Sequence, residues 1–251
     1  MKNRLMQLLA ANRSAPGRRF AVEAQADEVT VYLYDAIVGT QDEADWWGGV
    51  AADAFVKEIR ASKASTIHLR VNSPGGDVFA ARAMEQALRD SKARIVVHID
   101  GVAASAASFL AMAADEIRIA PGAMMMIHQA WTFAFGNADD LISTAALLEK
   151  IDTTIADTYA KRAGKDAAEF ADAMAAETWY TAQEAVDAGL ADVIAEGAKA
   201  QAGWDLSAYA KAPPPAPKEP DHEQKTEPAS VLDASMRAQL SGRLDLALRA
   251  H

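Results

Sequence analysis

The chain has 251 residues, no cysteine and a formal net charge of −10. The lack of cysteine excludes disulfides, thiol nucleophiles and cysteine-ligated metal centres, and a chain of this length can bury a sizeable core without such cross-links. The charge is uneven, with +5 on residues 1–19, −1 on residues 201–251 and −14 on the body between them. Because nucleic-acid binding needs a basic footprint, the acidic body argues against a nucleic-acid partner.

Two features at first suggest targeting or membrane insertion. The apolar stretch at residues 6–11 is too short for a signal peptide, so the basic residues 1–27 are expected to form a frayed, solvated arm. Residues 119–138 contain no Asp, Glu, Lys or Arg and have the length of a membrane span. Proline, glycine, histidine, glutamine and asparagine interrupt that stretch, which favours buried strands around a turn. We therefore expect a cytoplasmic, globular protein with no membrane partner.

The hydrophobic pattern predicts strands and helices that alternate along the chain. Strands are predicted at 30–34, 66–72, 94–99, 116–120, 124–128 and 190–194, helices at 50–61, 77–89, 101–114, 138–162, 165–176 and 181–189, and a turn at 46–49. A capping box formed by Thr181 and Glu184 begins the last helix, which ends at Gly189. This alternation predicts an α/β fold with mostly parallel strand pairing.

The composition changes after residue 197. Six of the nine prolines fall between residues 213 and 228, which is typical of an extended linker without a core of its own. We expect a basic arm at 1–27, one folded domain at 28–197, a Pro-rich linker at 198–228 and a short amphipathic helix at 229–251. That helix would either pack against a neighbouring subunit or dock onto a partner, and the sequence does not choose between these interpretations.

Three short segments could carry chemistry. The turn SPGG, residues 73–76, ends a predicted strand, and its paired glycines allow exposed backbone N–H groups to bind an oxyanion, although most such turns are only turns. Ser105 lies where a strand runs into a helix of small residues, near N–H groups that stabilise negative charge. A helix cap is the plainer interpretation of Ser105, and the nucleophile-elbow motif G-x-S-x-G is absent.

The third segment is MIHQ, residues 126–129, which places His128 at the end of an apolar strand. Such a histidine is more often a satisfied core residue than a general base. The same interpretation applies more strongly to His68 and His98, which fall inside predicted strands. His222 and His251 lie in the tail, where a preorganised site is not expected.

In this order and spacing, SPGG, GVAAS and MIHQ together resemble the proteolytic subunit family of the Clp protease (ClpP), which are serine peptidases. The resemblance extends from about residue 29 to residue 194 and includes the closing string ETWYTAQEAVDAGLAD. It implies the spiral of ββα units that ClpP shares with the crotonases. It also implies polypeptide substrates, no cofactor, no metal, and a ring of seven subunits or a pair of such rings.

The resemblance also implies a role for individual residues. Ser105 matches the nucleophile, His128 the general base, and Gly76 and Ala106 the residues whose N–H groups form the oxyanion hole. The third member of the triad lies four residues before the capping Thr181, at Glu177. The family usually has aspartate there, so Glu177 is a departure, although a glutamate can also orient an imidazole. Asp172 is the fallback, and Asp115 is more typical of a turn residue.

Within this family, VYLYDAIVG (31–39), the closing string and WDLSAYAKAP (204–213) are most similar to the head maturation (prohead) proteases of tailed phages and prophages. This implies processing of capsid or scaffold proteins by a phage or prophage protein, in the cytoplasm or inside the procapsid. A housekeeping ClpP subunit, which would depend on an ATPase partner because the chain has no P-loop, is an alternative. A crotonase-type acyl-CoA enzyme and an inactive assembly scaffold are alternatives of other classes.

Overall fold

The structure is a computed structural model that describes residues 4–15, 17–195 and 203–214. The helices are α1 (Arg4–Ala11), α2 (Gln41–Trp47), α3 (Ala52–Ala61), α4 (Val78–Asp90), α5 (Ala106–Ala111), α6 (Ala138–Ala163), α7 (Ala167–Ala175) and α8 (Ala182–Ala188). The strands are β1 (Arg19–Gln25), β2 (Glu28–Tyr34), β3 (Ile37–Val38), β4 (Val50–Ala51), β5 (Thr66–Ser73), β6 (Arg94–Ala104), β7 (Glu116–Ile119), β8 (Met124–Ile127), β9 (Thr178–Thr181) and β10 (Val193–Ile194).

The main sheet has eight strands, six of them in the order β1-β2-β5-β6-β7-β10, while β8 pairs with both β6 and β9. Pairing is parallel throughout this sheet except between β1 and β2 and between β8 and β9. The strands β3 and β4 form a separate parallel pair. The predicted α/β class and mostly parallel pairing are therefore confirmed.

Strand β6 changes its neighbour halfway along, and this fork positions the site. Its first part pairs with β7 through residues 96–99, whereas its end pairs with β8 through residues 102–104. The helix predicted at 101–114 is wrong over its first residues, which continue the strand, and α5 covers only Ala106–Ala111. Small residues suit either structure, and pairing with β8, together with the Ser73–Ala103 pair to β5, selects the strand here.

The core lies between one face of the sheet and helices α3, α4 and α5. Alternate strand residues such as Leu69 and Val97 are fully buried there, as the period of two requires. They pack with Phe55 of α3, Met84 of α4 and Leu110 of α5 in one continuous cluster. A sheet edge whose strands are fixed by such a core is a rigid support for a site.

The N-terminal residues are more ordered than the expected frayed arm. β1 pairs with β2 at all seven of its positions, and the guanidinium of Arg19 lies 3.4 Å from the centre of the Tyr32 ring. Helix α1 buries Leu8 and Leu9. Burial of apolar side chains such as Leu8 and Leu9 stabilises this segment on the body. The basic charge of the segment gave no indication of that packing.

Residues 203–214, here called the strap, fall inside the range expected as linker but pack on the body. Trp204, Leu206 and Tyr209 of the strap lie in a small apolar cluster with Leu8 of α1 and Met126 of β8. A solvated linker does not need aromatic side chains. Their presence just before the Pro-rich stretch is therefore a sequence signal that the strap packs on the body. The rest of the predicted linker from 215, and the predicted helix at 229–251, lie outside the described residues.

Smaller differences concern short elements. The sequence missed β9 and α2, and Trp46 and Trp47 end α2 instead of forming a turn. The charge-free stretch at 119–138 contains the last residue of β7, the whole of β8 and the first residue of α6, and residues 120–137 include no helix. Across the ranges that the structure describes, no helix is long and apolar enough to cross a membrane.

Candidate active site

Ser105 lies at the sharp turn between β6 and α5. Its backbone has φ 54° and ψ −122°, a conformation that costs free energy for a residue with a side chain. The turn is fastened to β8, because the Ser105 N–H donates to the carbonyl of Met126 at 2.9 Å. The buried Ser108 hydroxyl lies 2.6 Å from the Ser105 carbonyl and 2.9 Å from that of Met126, and it contacts the Tyr159 hydroxyl at 2.7 Å. These bonds hold the strained turn in place.

His128 follows β8 directly and faces the serine. Its Nε2 lies 2.8 Å from Ser105 Oγ, and the residue is 9% exposed. Because β8 pairs with the end of β6, the two side chains meet at the same edge of the sheet. A hydroxyl and an imidazole at hydrogen-bond distance can act as nucleophile and general base.

The SPGG turn lies against the serine turn. A Cβ added to Gly75 would come within 2.4 Å of the Ala104 carbonyl oxygen, 2.8 Å of Ser105 Cβ and 3.0 Å of the Ala106 nitrogen. Backbone bonds tie the turn to β3, since Ile37 N–H donates to Gly75 O and Asp77 N–H donates to Ile37 O. Gly76 is required at its own position too, because a Cβ there would lie 1.9 Å from Ile37 O.

The two expected oxyanion donors are on adjoining turns. Within the described ranges, no hydrogen bond uses the N–H of Gly76 or Ala106. Peptide donors that are fixed in position and not engaged within the fold are what an oxyanion hole requires.

Glu177 directly precedes β9, and His128 directly follows the partner strand β8. The antiparallel register of the two strands ends with the pair Ile127 and Thr178. The Glu177 carboxylate accepts hydrogen bonds from the N–H groups of Ala210 at 3.1 Å and Lys211 at 2.6 Å. These bonds join it to residues 210 and 211, and its role beside His128 stays a prediction.

The alternatives to Glu177 lie elsewhere. Asp172 is exposed on α7. Asp115 accepts a hydrogen bond from the Ile95 N–H at 2.7 Å, where β6 begins. That bond agrees with its interpretation as a turn residue.

The strap runs across this edge of the sheet. The Tyr209 ring meets the His128 ring edge-on at 5.4 Å between centroids, and its hydroxyl donates to the Pro74 carbonyl. The Trp204 indole N–H donates to Asn72 at 3.1 Å, and Lys211 Nζ donates to the carbonyl of Ala176.

Sequence reasoning missed the residues that support the site. The Ser73 hydroxyl, which is fully buried, donates to the Asp35 carbonyl at 2.6 Å and accepts from the Gly75 N–H at 3.2 Å. A serine before Pro-Gly-Gly was a usable signal, because serine hydroxyls commonly organise such turns. Ser108 and Tyr159 gave no comparable signal, since their contact joins residues far apart in the sequence.

Burial alters the acid–base behaviour of two neighbouring groups. It raises the pKa of Tyr159, so this phenol stays protonated and can serve as a donor next to Ser108. Burial also raises the pKa of Asp152, although the hydrogen bond that its carboxylate accepts from the Ala130 N–H lowers this pKa. Neither group touches Ser105 or His128 in the structure. Among the residues that are described, no group of three or more His, Asp or Glu side chains is placed to hold a metal ion.

A strained strand–turn–helix serine, a histidine within hydrogen-bond distance and a glycine turn with available N–H groups form the arrangement that serine hydrolases use. The family model described as Clp protease matches residues 49–198, and the chain belongs to this family. Its members are peptidases, and they typically assemble into rings.

Two curated relatives agree with this assignment. The chain is 30% identical over 173 residues to "ATP-dependent Clp protease proteolytic subunit 1" of Leifsonia xyli subsp. xyli (strain CTCB07), which covers 65% of this chain and 88% of that protein. It is 35% identical over 137 residues to "ATP-dependent Clp protease proteolytic subunit" of Adiantum capillus-veneris, which covers 53% of this chain and 68% of that protein.

Proposed function

We propose that this chain is a serine endopeptidase in which Ser105 is the nucleophile and His128 the general base. The observation that carries the proposal is the 2.8 Å contact between His128 Nε2 and Ser105 Oγ. The contact lies beside a glycine turn that also approaches the Ala106 nitrogen, which would be 3.0 Å from a Cβ added to Gly75. Membership of the Clp protease family supports the same reaction class.

The geometry suggests the following reaction. His128 takes the proton of Ser105 as the hydroxyl oxygen attacks a peptide carbonyl, and the N–H groups of Gly76 and Ala106 hold the oxyanion that forms. The protonated imidazole then gives its proton to the leaving amine, and water hydrolyses the acyl-enzyme. In this mechanism Glu177 orients the imidazole and stabilises its charged form.

The test is labelling of the full chain with a fluorophosphonate together with cleavage of casein or a fluorogenic peptide. Ser105→Ala is expected to abolish both while leaving the circular dichroism spectrum unchanged, whereas the exposed control Ser143→Ala keeps both. A wild-type chain that is folded but neither labels nor cleaves would favour a crotonase-type enzyme or an inactive scaffold. Full activity of Ser105→Ala would refute the assignment directly.

The finer proposal concerns the substrate. The strings VYLYDAIVG and WDLSAYAKAP support processing of capsid or scaffold proteins by a ring of these subunits during phage head maturation. The names of both relatives support a second candidate at least as well, the proteolytic subunit of an ATP-dependent protease.

Co-expression with a candidate capsid or scaffold protein separates the two candidates. Head maturation predicts discrete, Ser105-dependent processing without an added ATPase. A subunit of the ATP-dependent type would leave a folded protein intact and degrade it only when an unfoldase and ATP are supplied.

A further inference from the structure

We propose that Tyr209 is a positioning residue for His128, so that this one side chain of the strap acts in the working active site. This inference rests on the proposed function, because it assigns Tyr209 a role in the reaction of Ser105 and His128. Tyr209 is 8% exposed, and its ring meets the imidazole edge-on at 5.4 Å between centroids with the planes 75° apart. Its hydroxyl donates to the carbonyl of Pro74.

One side chain thus joins the two halves of the site. Pro74 directly precedes the two glycines of the oxyanion turn, and His128 carries the base. Trp179 of β9 also packs against the Tyr209 ring, edge-on at 6.0 Å between centroids. An imidazole can occupy several staggered rotamers, and a fixed aromatic ring beside it leaves less room for those that turn Nε2 away from Ser105.

The strap has other anchors, so the role of the Tyr209 ring can be tested by itself. The side chain of Asn12 and the backbone of Asp205 exchange two hydrogen bonds, of 2.8 and 2.6 Å. The Trp204 indole binds Asn72. Because these bonds, and those from 210 and 211 to Glu177, do not involve the side chain of Tyr209, Tyr209→Ala removes the ring and leaves them in place.

The opposite role, a strap that blocks the site, predicts a different geometry. With the strap docked, Ser105 and His128 remain at 2.8 Å and Ser105 stays partly exposed. A blocking segment would cover the nucleophile or separate it from its base. At Ser105 and His128 the arrangement therefore favours support of the imidazole over inhibition, and the strap in addition holds the Glu177 carboxylate through the N–H groups of 210 and 211.

The experiment compares four full-length proteins: wild type, Tyr209→Ala, Tyr209→Phe and the control Trp204→Phe. Both Phe variants lose one hydrogen-bond donor of the strap, but only Tyr209 contacts His128. Tyr209→Ala is expected to lower kcat on a fluorogenic peptide about tenfold or more, with KM within about twofold, because the imidazole is aligned less often. Fluorophosphonate labelling of Ser105 should slow by the same factor. Tyr209→Phe keeps the ring and should recover activity to within about threefold of wild type, and Trp204→Phe should match wild type.

Each other result overturns the proposal. Activity of Tyr209→Ala at or above the wild-type level would show that the ring does not position His128, and a clear gain would show that the strap inhibits. Should Tyr209→Ala not fold, Tyr209→Leu fills the apolar cluster without an aromatic ring, and wild-type kcat in that variant would refute the role. An inactive wild type overturns the proposed function as well, whereas an active wild type with an unaffected Tyr209→Ala overturns only the positioning role.

Discussion

Backbone strain at single residues is concentrated at the candidate site. Among the described residues, three that are not glycine have a positive φ, and two of them are Ser105 at 54° and Glu177 at 48°. Such conformations persist only where the surroundings enforce them, and they cluster at functional sites. At Ser105 the enforcing contacts are the bonds to Met126 and Ser108. The strain at Ser105 therefore supports a functional role independently of the motifs, whereas Glu177 directly follows the C-cap of α7, where a left-handed residue commonly ends a helix.

The first prediction at this scale concerns Glu177. Glu177→Gln is expected to lower kcat roughly 10- to 1,000-fold, less than Ser105→Ala, because a carboxamide stabilises the imidazolium poorly while the oxyanion donors remain. The measurement is kcat on a fluorogenic peptide, with Asp172→Asn as the matched control that should keep wild-type activity. No loss in Glu177→Gln together with a loss in Asp172→Asn would transfer the role to Asp172.

A second prediction concerns the glycine turn. Gly75→Ala is expected to lower kcat at least about 100-fold, because the new methyl group would collide with the Ala104 carbonyl and approach the Ala106 nitrogen that serves the oxyanion. Gly75 has φ 88°, so part of the effect is backbone strain. Gly164→Ala is the control, since Gly164 has φ 65° and no atom within 4 Å of the added Cβ. It should destabilise the protein by about 1 kcal/mol without changing kcat, and an equal loss of kcat in both variants would contradict the prediction.

At the scale of elements, local patterns predicted most of the fold. The strand at 66–72 and the helix at 77–89 are confirmed almost to the residue, because alternation and the Pro-Gly-Gly stop are local signals. The fork of β6 could not be predicted, since residues 101–104 are strand through long-range pairing with β8 and, at Ala103, with β5. The packing of the strap on the body could not be predicted from the sequence for the same reason, because its partners Asn12 and Asn72 are distant in the chain. The motifs identify Ser105 and His128 as candidate site residues. The contact between their side chains depends on the fork of β6, which the motifs do not reveal.

The sheet face away from the main core carries a histidine pair that makes stability depend on pH. His68 Nδ1 lies 3.0 Å from His98 Nε2. Burial lowers the pKa of His98 to about 4, and the charges of Arg70, His68 and Arg118 act in the same direction, opposed by Glu116. Between pH 6.5 and 4 the unfolded chain thus binds more protons at this residue than the folded chain does.

The third prediction follows from that difference. The free energy of unfolding should fall as the pH drops through this window, and His98→Asn should lose that part of the dependence. Urea unfolding at pH 7, 5.5 and 4.5 measures the free energy of unfolding of both proteins. Subtracting the value of the variant from that of the wild type removes the contribution of the carboxylates that both share. A difference that does not change with pH would contradict the depressed pKa.

At the scale of the whole molecule, the single chain leaves an apolar surface uncovered. The residues after His128 and the beginning of α6 expose large apolar side chains, here called the apolar ridge: Phe133, Phe135, Leu141, Ile142 and Leu147. Phe135 is 81% exposed and stacks edge-on against Phe133 at 4.3 Å between centroids. Large apolar side chains exposed close together in the sequence are typical of an interaction surface, and the family typically forms rings.

The ridge also connects assembly to the site, which yields the last prediction. It begins four residues after Gln129, whose N–H donates to the Met174 carbonyl beside the antiparallel pair of β8 and β9. A partner that covers the ridge would therefore stiffen the segment that follows the base. The double variant Phe135→Glu with Ile142→Glu is expected to shift the chain, 26.7 kDa per protomer, to smaller assemblies in light scattering and to lower kcat with them. Gln86→Glu, a change at an exposed polar position of α4, is the control for added charge and should leave both unchanged. Unaltered assembly of the double variant would exclude the ridge as the subunit contact, and smaller assemblies with wild-type kcat would show that the site is complete in each subunit alone.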